Sequence, residues 1–173
     1  ADDEEYVVKS LIKNVNWREY GFEVVASSND GIDAYGDILK LKPHLVFTDI
    51  RMPGMNGLEL IKKAKTELTG TLFVVISGYA EFAYAQKAMN YGAIGFCLKP
   101  FDDEIDTLLK KAKNMLDSAG NEELDIITAI EDQSPGSKLQ LASLLRQKGI
   151  QVENGIAAAV SLGAERICFR DSV

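Results

Sequence analysis

The stretch Leu45-Val46-Phe47-Thr48-Asp49 decides the fold of this chain. Its first three residues are all apolar, which is typical of a strand that is covered on both faces of a sheet. Two similar apolar runs follow, at Leu72–Ile76 and Ile94–Leu98. Because each run is bounded by polar or turn-forming residues, the three runs predict three buried strands of one parallel sheet.

Segments with helical periodicity lie between and around these strands. Helices are predicted at Glu4–Val15, Gly31–Lys40, Leu58–Leu68, Ala80–Asn90 and Ile105–Leu116, and a further short strand at Phe22–Ala26. Asn56 is a candidate N-cap for the third helix. Strands that alternate with helices predict an α/β fold in which right-handed crossovers connect parallel strands.

Composition excludes several classes of protein. The 173 residues are 46% hydrophobic and 26% charged, as in globular chains and unlike disordered or fibrous ones. A net charge of −7 argues against a general binder of nucleic acid or membrane surfaces. Apolar runs are far shorter than the ~20 residues of a membrane helix. Cys97 and Cys168 lie in apolar contexts, which indicates buried thiols in a reducing compartment.

The pattern breaks near Ser118–Asn121, where we place a boundary between a first domain, residues 1–118, and a mostly helical extension, residues 119–173. Helices are predicted in the extension at 122–131, 138–148 and 154–162. The extension has eight acidic and five basic residues, the opposite of a DNA-contacting surface. It could be a fragment of a longer output region.

Polar residues follow the predicted strands at one edge of the sheet. Asp49, Ser77 and Lys99 each come directly after an apolar run, and Asp2 and Asp3 precede the first helix. Since function gathers at the carboxyl edge of parallel sheets, these side chains are expected to converge. Three adjacent carboxylates repel one another, and a set of oxygen ligands favours Mg²⁺ or Mn²⁺. A carboxylate beside such a metal can attack phosphorus.

This set of residues resembles the response regulator receiver domain of two-component signalling. The resemblance rests on Asp2-Asp3, the segment Asp49–Gly57, Ser77 and Lys99-Pro100, in the family's order, and it covers residues 1 to about 118. Residues 16–23 are similar to a subgroup whose members end in an arabinose-regulator-type helix-turn-helix domain. The resemblance implies a doubly wound, flavodoxin-like parallel sheet of five strands.

The resemblance also implies a role for each site residue. Asp49 would accept a phosphoryl group from a sensor histidine kinase, and Lys99 and Ser77 would contact its oxygens. Asp2, Asp3 and Asp49 would hold Mg²⁺, Asp2 directly or through water, together with the backbone carbonyl of Arg51. The bond from Lys99 to Pro100 is usually cis in the family. Phe96 would rotate inward and change the face made by helix Ala80–Asn90, strand Ile94–Leu98 and the last helix.

One departure from the family concerns the sheet. The apolar strand that should precede the acidic pair is absent, and only Ala1 remains. Either residues were lost from the recorded sequence, or another segment takes that place. Arg166–Phe169 is the spare candidate.

The functional expectation is a cytoplasmic, phosphorylation-controlled module that turns over no external substrate. Transcription control is the expected output of the full-length protein, with DNA contacted only through a domain that is not evident in this chain. A homodimer is left open, and no membrane partner is expected. Two alternatives stay open: a haloacid-dehalogenase-like, Mg-dependent phosphatase, and a phosphate-independent interaction module. Members of that phosphatase family have an aspartate two residues after the nucleophile as acid and base, and here that position is Arg51.

Overall fold

The computed structural model describes residues 1–78, 82–100 and 104–131, together with Leu141, Ser143 and Leu145. The described elements are helices α1 (Glu5–Asn14), α2 (Gly31–Leu41), α3 (Gly57–Glu67), α4 (Phe82–Asn90) and α5 (Glu104–Glu131), a 3-10 turn at Trp17–Tyr20, and strands β1 (Leu45–Asp49), β2 (Leu72–Ser77) and β3 (Gly95–Leu98). The five helices predicted within residues 1–118 and the three buried strands are therefore confirmed, apart from their ends.

The three strands form a parallel sheet in the order β1-β2-β3. Leu45 pairs with Leu72 at one end of β1, and Asp49 pairs with Ile76 at the other. In the same register Ser77 pairs with Leu98 on β3. All three strands therefore end at the same edge, which we call the carboxyl edge.

Helices cover both faces of the sheet, as expected for an α/β doubly wound fold. Side chains on one face, including Phe73 and Val75, pack in a core with residues of α2, α3 and α4. Side chains on the other face, including Val74 and Ile76, pack with residues of α5 and α1. Burial on both faces explains why the strand sequences are continuously apolar.

The predicted strand at Phe22–Ala26 is wrong. These residues are not hydrogen-bonded into the sheet, and Val24 and Val25 are 42% and 57% exposed. A strand is stabilised by a neighbour within hydrogen-bonding distance. Here an apolar cleft separates the segment from β1.

The last helix is longer than its sequence pattern predicts. α5 continues for 28 residues through the predicted break at 118–121. The chain divides into two compact units, Ala1–Leu116 and Asp117–Val173, whose junction lies within this helix. Leu141, Ser143 and Leu145 are helical, in the predicted region. The predicted helix at 154–162 and the candidate strand Arg166–Phe169 lie outside the described residues.

None of the helices in the described part of the chain is both long enough and apolar enough to cross a bilayer.

Candidate functional site

The carboxyl edge brings together side chains that are far apart in the sequence. Asp49 is the last residue of β1, Ser77 is the last residue of β2, and Lys99 directly follows β3. The backbone N–H of Lys99 donates to the carbonyl of Ser77 over 2.9 Å, so the end of β3 is fixed against the end of β2.

The N-terminus adds two carboxylates to this edge because its backbone is bound to the end of β1. The N-terminal ammonium donates to the carbonyl oxygen of Phe47. The N–H of Asp49 donates to the carbonyl oxygen of Ala1 over 2.8 Å, and the N–H of Asp2 donates to that of Ser28 over 3.1 Å. These bonds place Asp2 beside Asp49.

Three carboxylates can reach one metal ion. One oxygen from each of Asp2, Asp3 and Asp49 lies within 4.8 Å of the others. Asp2 and Asp49 are buried, whereas Asp3 is exposed. Oδ2 of Asp2 is buried, and its partner among the described residues is the ammonium of Lys99, 2.8 Å away. A set of three carboxylates that supplies only oxygen ligands fits a hard divalent cation such as Mg²⁺.

Lys99 supplies a positive charge to the same cluster. Its Nζ lies 2.8 Å from Oδ2 of Asp2 and 3.3 Å from Oδ2 of Asp49. It also donates to Oε1 of Glu4 over 2.9 Å. The sequence analysis missed Glu4, although its position two residues after Asp2 is a signal that could have included it. We call Asp2, Asp3, Asp49 and Lys99 the acidic site.

Burial and neighbouring charges shift the pKa values of Asp49 and Lys99 in opposite directions. Burial raises the pKa of the Asp49 carboxyl, and the hydrogen bond from Ile50 and the charge of Lys99 offset this only in part. Burial also opposes the charge of Lys99, but its contacts with Asp2 and Glu4 and the charge of Asp49 outweigh this and raise its pKa. Lys99 is therefore cationic, while ionised Asp49 is under-compensated and suited to binding a cation.

The segment after Asp49 turns tightly away from the site. The N–H of Ile50 donates to Oδ1 of Asp49 over 2.7 Å, which orients the carboxylate. Asn56 caps α3 as predicted, since its Oδ1 accepts from the N–H of Glu59 over 2.9 Å. A Cβ at Gly57 would lie 1.9 Å from the carbonyl oxygen of Asp49. Only glycine fits so close to the backbone of the site.

The remaining predicted residues lie nearby with different exposures. Ser77 is fully buried at the end of β2. Phe96 is half-buried against the core that β1 shares with α3. Arg51 is exposed and lines the same shallow pocket as Asp3. The bond between Lys99 and Pro100 is cis, as the resemblance implied.

Comparison with known proteins gives a family for most of the chain. The model of the response regulator receiver domain family matches residues 1–113. The matched region includes every residue of the acidic site and ends before the last 60 residues.

Two solved structures support the same fold. The receiver domain of AraT, a response regulator from Geobacillus stearothermophilus, is 35% identical with a TM-score of 0.64 and covers 68% of this chain and 92% of that one. A two-component transcriptional regulator, AraC, from Clostridium phytofermentans is 31% identical with a TM-score of 0.61. The match covers 70% of this chain and 94% of the AraC chain. The predicted flavodoxin-like doubly wound fold is thereby confirmed.

Among curated proteins, the transcriptional regulatory protein YesN of Bacillus subtilis is 39% identical over 104 residues, which are 60% of this chain and 28% of YesN. HptR of Staphylococcus aureus, also a transcriptional regulatory protein, is 32% identical over 102 residues, which are 59% of this chain and 40% of HptR. The chain thus spans well under half the length of these relatives.

Proposed function

The chain belongs to the response regulator receiver domain family, and from this membership we propose that Asp49 accepts a phosphoryl group in a Mg²⁺-dependent reaction that switches the domain between two packings. The resemblance to this family that the sequence analysis described is confirmed. The roles of individual residues go beyond family membership and are proposed here from the geometry of the acidic site.

One observation carries the proposal. Asp49 lies in one cluster with two further carboxylates and with the Lys99 ammonium, which contacts both Asp49 and Asp2. The carboxylates can hold a metal ion, and the ammonium can pair with an anionic oxygen. A phosphoryl group bound to Asp49 would therefore have two sources of positive charge, a metal ion and the ammonium, which transfer of a dianionic group requires.

The proposed step uses the chain's own groups. A carboxylate oxygen of Asp49 attacks phosphorus, an O–P bond forms, and the bond from phosphorus to the donor nitrogen or oxygen breaks with its electrons on the donor. Lys99 holds the equatorial oxygens, and the Ile50 N–H orients the attacking carboxylate. Asp2, Asp3, Asp49 and the carbonyl of Arg51 would hold Mg²⁺, which supplies charge neutralisation when bound.

The switch is proposed to start at Ser77. Its hydroxyl lies at the end of the strand next to Asp49, so a short movement would let it donate to a phosphoryl oxygen. Phe96 would then fill the space behind Ser77 by packing alone, since phenylalanine has no hydroxyl. The face of α4, β3 and α5 would change with it as a population shift.

A histidine kinase is the proposed donor, because the chain's one histidine, His44, precedes β1 and lies at the end opposite Asp49. The relatives named as transcriptional regulators support a regulatory output in a longer protein. Contact with DNA would come from another domain of that protein. We propose a cytoplasmic location and no turnover of external substrate.

The test is phosphorylation by acetyl phosphate with Mg²⁺, followed by intact mass spectrometry. We expect one added phosphate in the native chain and none in Asp49→Asn. Glu67→Gln is the matched control, since it removes an exposed carboxylate at the far end of α3. Equal phosphate uptake by Asp49→Asn would refute the assignment.

The phosphatase alternative is tested in the same preparation. The position two residues after Asp49 is Arg51, which carries no carboxylate to serve as general acid and base. Continuous release of phosphate from a small phosphomonoester, lost in Asp49→Asn, would favour that alternative.

A further inference from the structure

The ammonium of Lys99 is shared among three carboxylates, one of which the proposed reaction does not use. Its partners are Oδ2 of Asp2 at 2.8 Å, Oε1 of Glu4 at 2.9 Å and Oδ2 of Asp49 at 3.3 Å. A lysine ammonium has three N–H groups, so three carboxylates are as many partners as it can serve one to one. A phosphoryl oxygen on Asp49 can therefore gain a bond from Lys99 only if one of these contacts is given up.

Glu4 is the partner of Lys99 that is released most easily. It is not among the three carboxylates of the described residues that can reach one metal ion. Its side chain is 62% exposed, whereas those of Asp2 and Asp49 are 7% and 8% exposed. Because water can solvate the Glu4 carboxylate after it moves away, its ion pair is the weakest of the three. The contact with Glu4 is thus the one that a phosphoryl group would replace.

The backbone of Glu4 is fixed, while its side chain can move. Its N–H donates to Oδ1 of Asp2 over 3.0 Å, and its carbonyl accepts from the N–H of Val7 over 2.9 Å. Glu4 is the N-cap residue of α1, but its side chain accepts no hydrogen bond from the first turn of this described helix. The carboxylate is therefore used for Lys99 and not for capping.

We propose that Glu4 is a positioning residue that holds the Lys99 ammonium on the N-terminal side of the acidic site, and that this contact slows phosphorylation of Asp49. Glu4 releases Lys99 when the phosphoryl group arrives. This inference rests on the proposed function and adds a regulatory contact to it. The alternative is that Glu4 only repels an anionic donor, which would not require Lys99.

The first test compares labelling rates with acetyl phosphate and Mg²⁺ at one fixed pH. We expect Glu4→Gln to be labelled about three- to fivefold faster than the native chain, the size of effect that loss of an exposed ion pair produces. Glu5→Gln is the matched control, because it removes the same charge one residue later, where the carboxylate pairs with Lys9 at 2.7 Å. It should be labelled at the native rate, and equal acceleration in both variants would overturn the proposal.

The second test repeats the substitution in a chain that already carries Lys99→Met. If Glu4 acts by holding Lys99, Glu4→Gln should not change the labelling rate in that chain. The same acceleration as in the native background would show that Glu4 acts by repulsion alone, and the proposal would fail.

The third test reads the position of Lys99 without any phosphorylation, from the NMR signal of its Cε–H group. In the metal-free chain, Glu4→Gln should shift this signal toward the position that it takes in the native chain with beryllium fluoride and Mg²⁺. Glu5→Gln should leave it unchanged. An unmoved signal in Glu4→Gln would overturn the proposal.

Failure of this inference differs from failure of the proposed function. A native chain that takes up no phosphate would overturn both. Normal uptake by the native chain, with an equal rate in Glu4→Gln, would overturn the role of Glu4 and leave Asp49 as the acceptor.

Discussion

The ammonium nitrogen of Lys99 lies 3.3 Å from Oδ2 of Asp49, although 50 residues separate them in the sequence. The ends of β1 and β3, with β2 between them, hold this pair in place. Lys99 also contacts Asp2, so one ammonium serves two buried carboxylates. The site therefore has more negative than positive charge, and this excess should make cation binding stabilise the folded chain.

Magnesium should stabilise the native chain and fail to stabilise Asp49→Asn. Burial raises the pKa of Asp49, so the ionised carboxylate costs stability that a bound cation recovers. At Mg²⁺ ten times above its Kd we expect a gain of about 1.4 kcal/mol in the free energy of unfolding. Thermal unfolding with and without Mg²⁺ measures this.

Without metal, Asp49→Asn should unfold at or above the native midpoint, because an amide avoids the burial of charge. Glu67→Gln should keep the native response to Mg²⁺. A similar Mg²⁺-dependent gain in Asp49→Asn would contradict the assignment of Asp49 as a metal ligand.

Lys99→Met should separate metal binding from phosphorylation. Removing the ammonium leaves Asp2 and Asp49 without a counter-ion, so Mg²⁺ should bind at least as tightly as in the native chain. Labelling by acetyl phosphate should fall at least tenfold, since the metal ion remains but the ammonium that would pair with the phosphoryl oxygens is gone. Lys110→Met, on the exposed side of α5, is the control. Native labelling rates in Lys99→Met would show that the ammonium has no role in the transfer.

Ser77→Ala should leave phosphate uptake largely intact and weaken the conformational response. The variant keeps the Asp49 carboxylate as nucleophile, and Lys99 and the metal ligands are unchanged. It lacks the hydroxyl that would draw β2 toward the phosphoryl group. Hydrogen exchange of α4 and β3, with and without beryllium fluoride and Mg²⁺, measures the response. An undiminished change in the variant would exclude Ser77 as the start of the switch.

Gly57→Ala should destabilise the whole fold. The added methyl group would lie 1.9 Å from the carbonyl oxygen of Asp49, and a backbone atom cannot move aside as the end of a side chain can. We expect a loss of about 1–3 kcal/mol or more, measured by urea unfolding. Gly70→Ala is the control, since no atom lies within 4 Å of the position that its added methyl group would take. Comparable midpoints for the two variants would show that the turn after Asp49 can relax.

The sequence predicted the three described strands and most of the residues at the acidic site because both depend on local patterns, whereas the implied sheet had five strands. Continuous apolar runs indicate strands that are covered on both faces. In a parallel sheet the residue after each run lies at the carboxyl edge, independent of how the helices pack. Asp49, Ser77 and Lys99 could therefore be placed relative to one another without coordinates.

The errors came from contacts between distant segments. Phe22–Ala26 has the composition of a strand, but pairing also needs a neighbour, and composition carries no information about the open cleft beside it. α5 runs through the predicted break at 118–121 because a single glycine inside a helix costs only about 1 kcal/mol relative to alanine, which does not have to end the helix. The contact between Glu4 and Lys99 depends on how the N-terminal backbone binds to β1.

The order in which the site residues appear along the chain has a consequence during translation. The carboxylates of the acidic site are complete once Asp49 is made, but Lys99 follows 50 positions later and β3 must also have been synthesised to hold it. A growing polypeptide on the ribosome thus lacks the ammonium of the acidic site until β3 and the residue after it have been synthesised. If Asp49 accepts a phosphoryl group as proposed, chains that end before Lys99 should be labelled far more slowly than chains that include it.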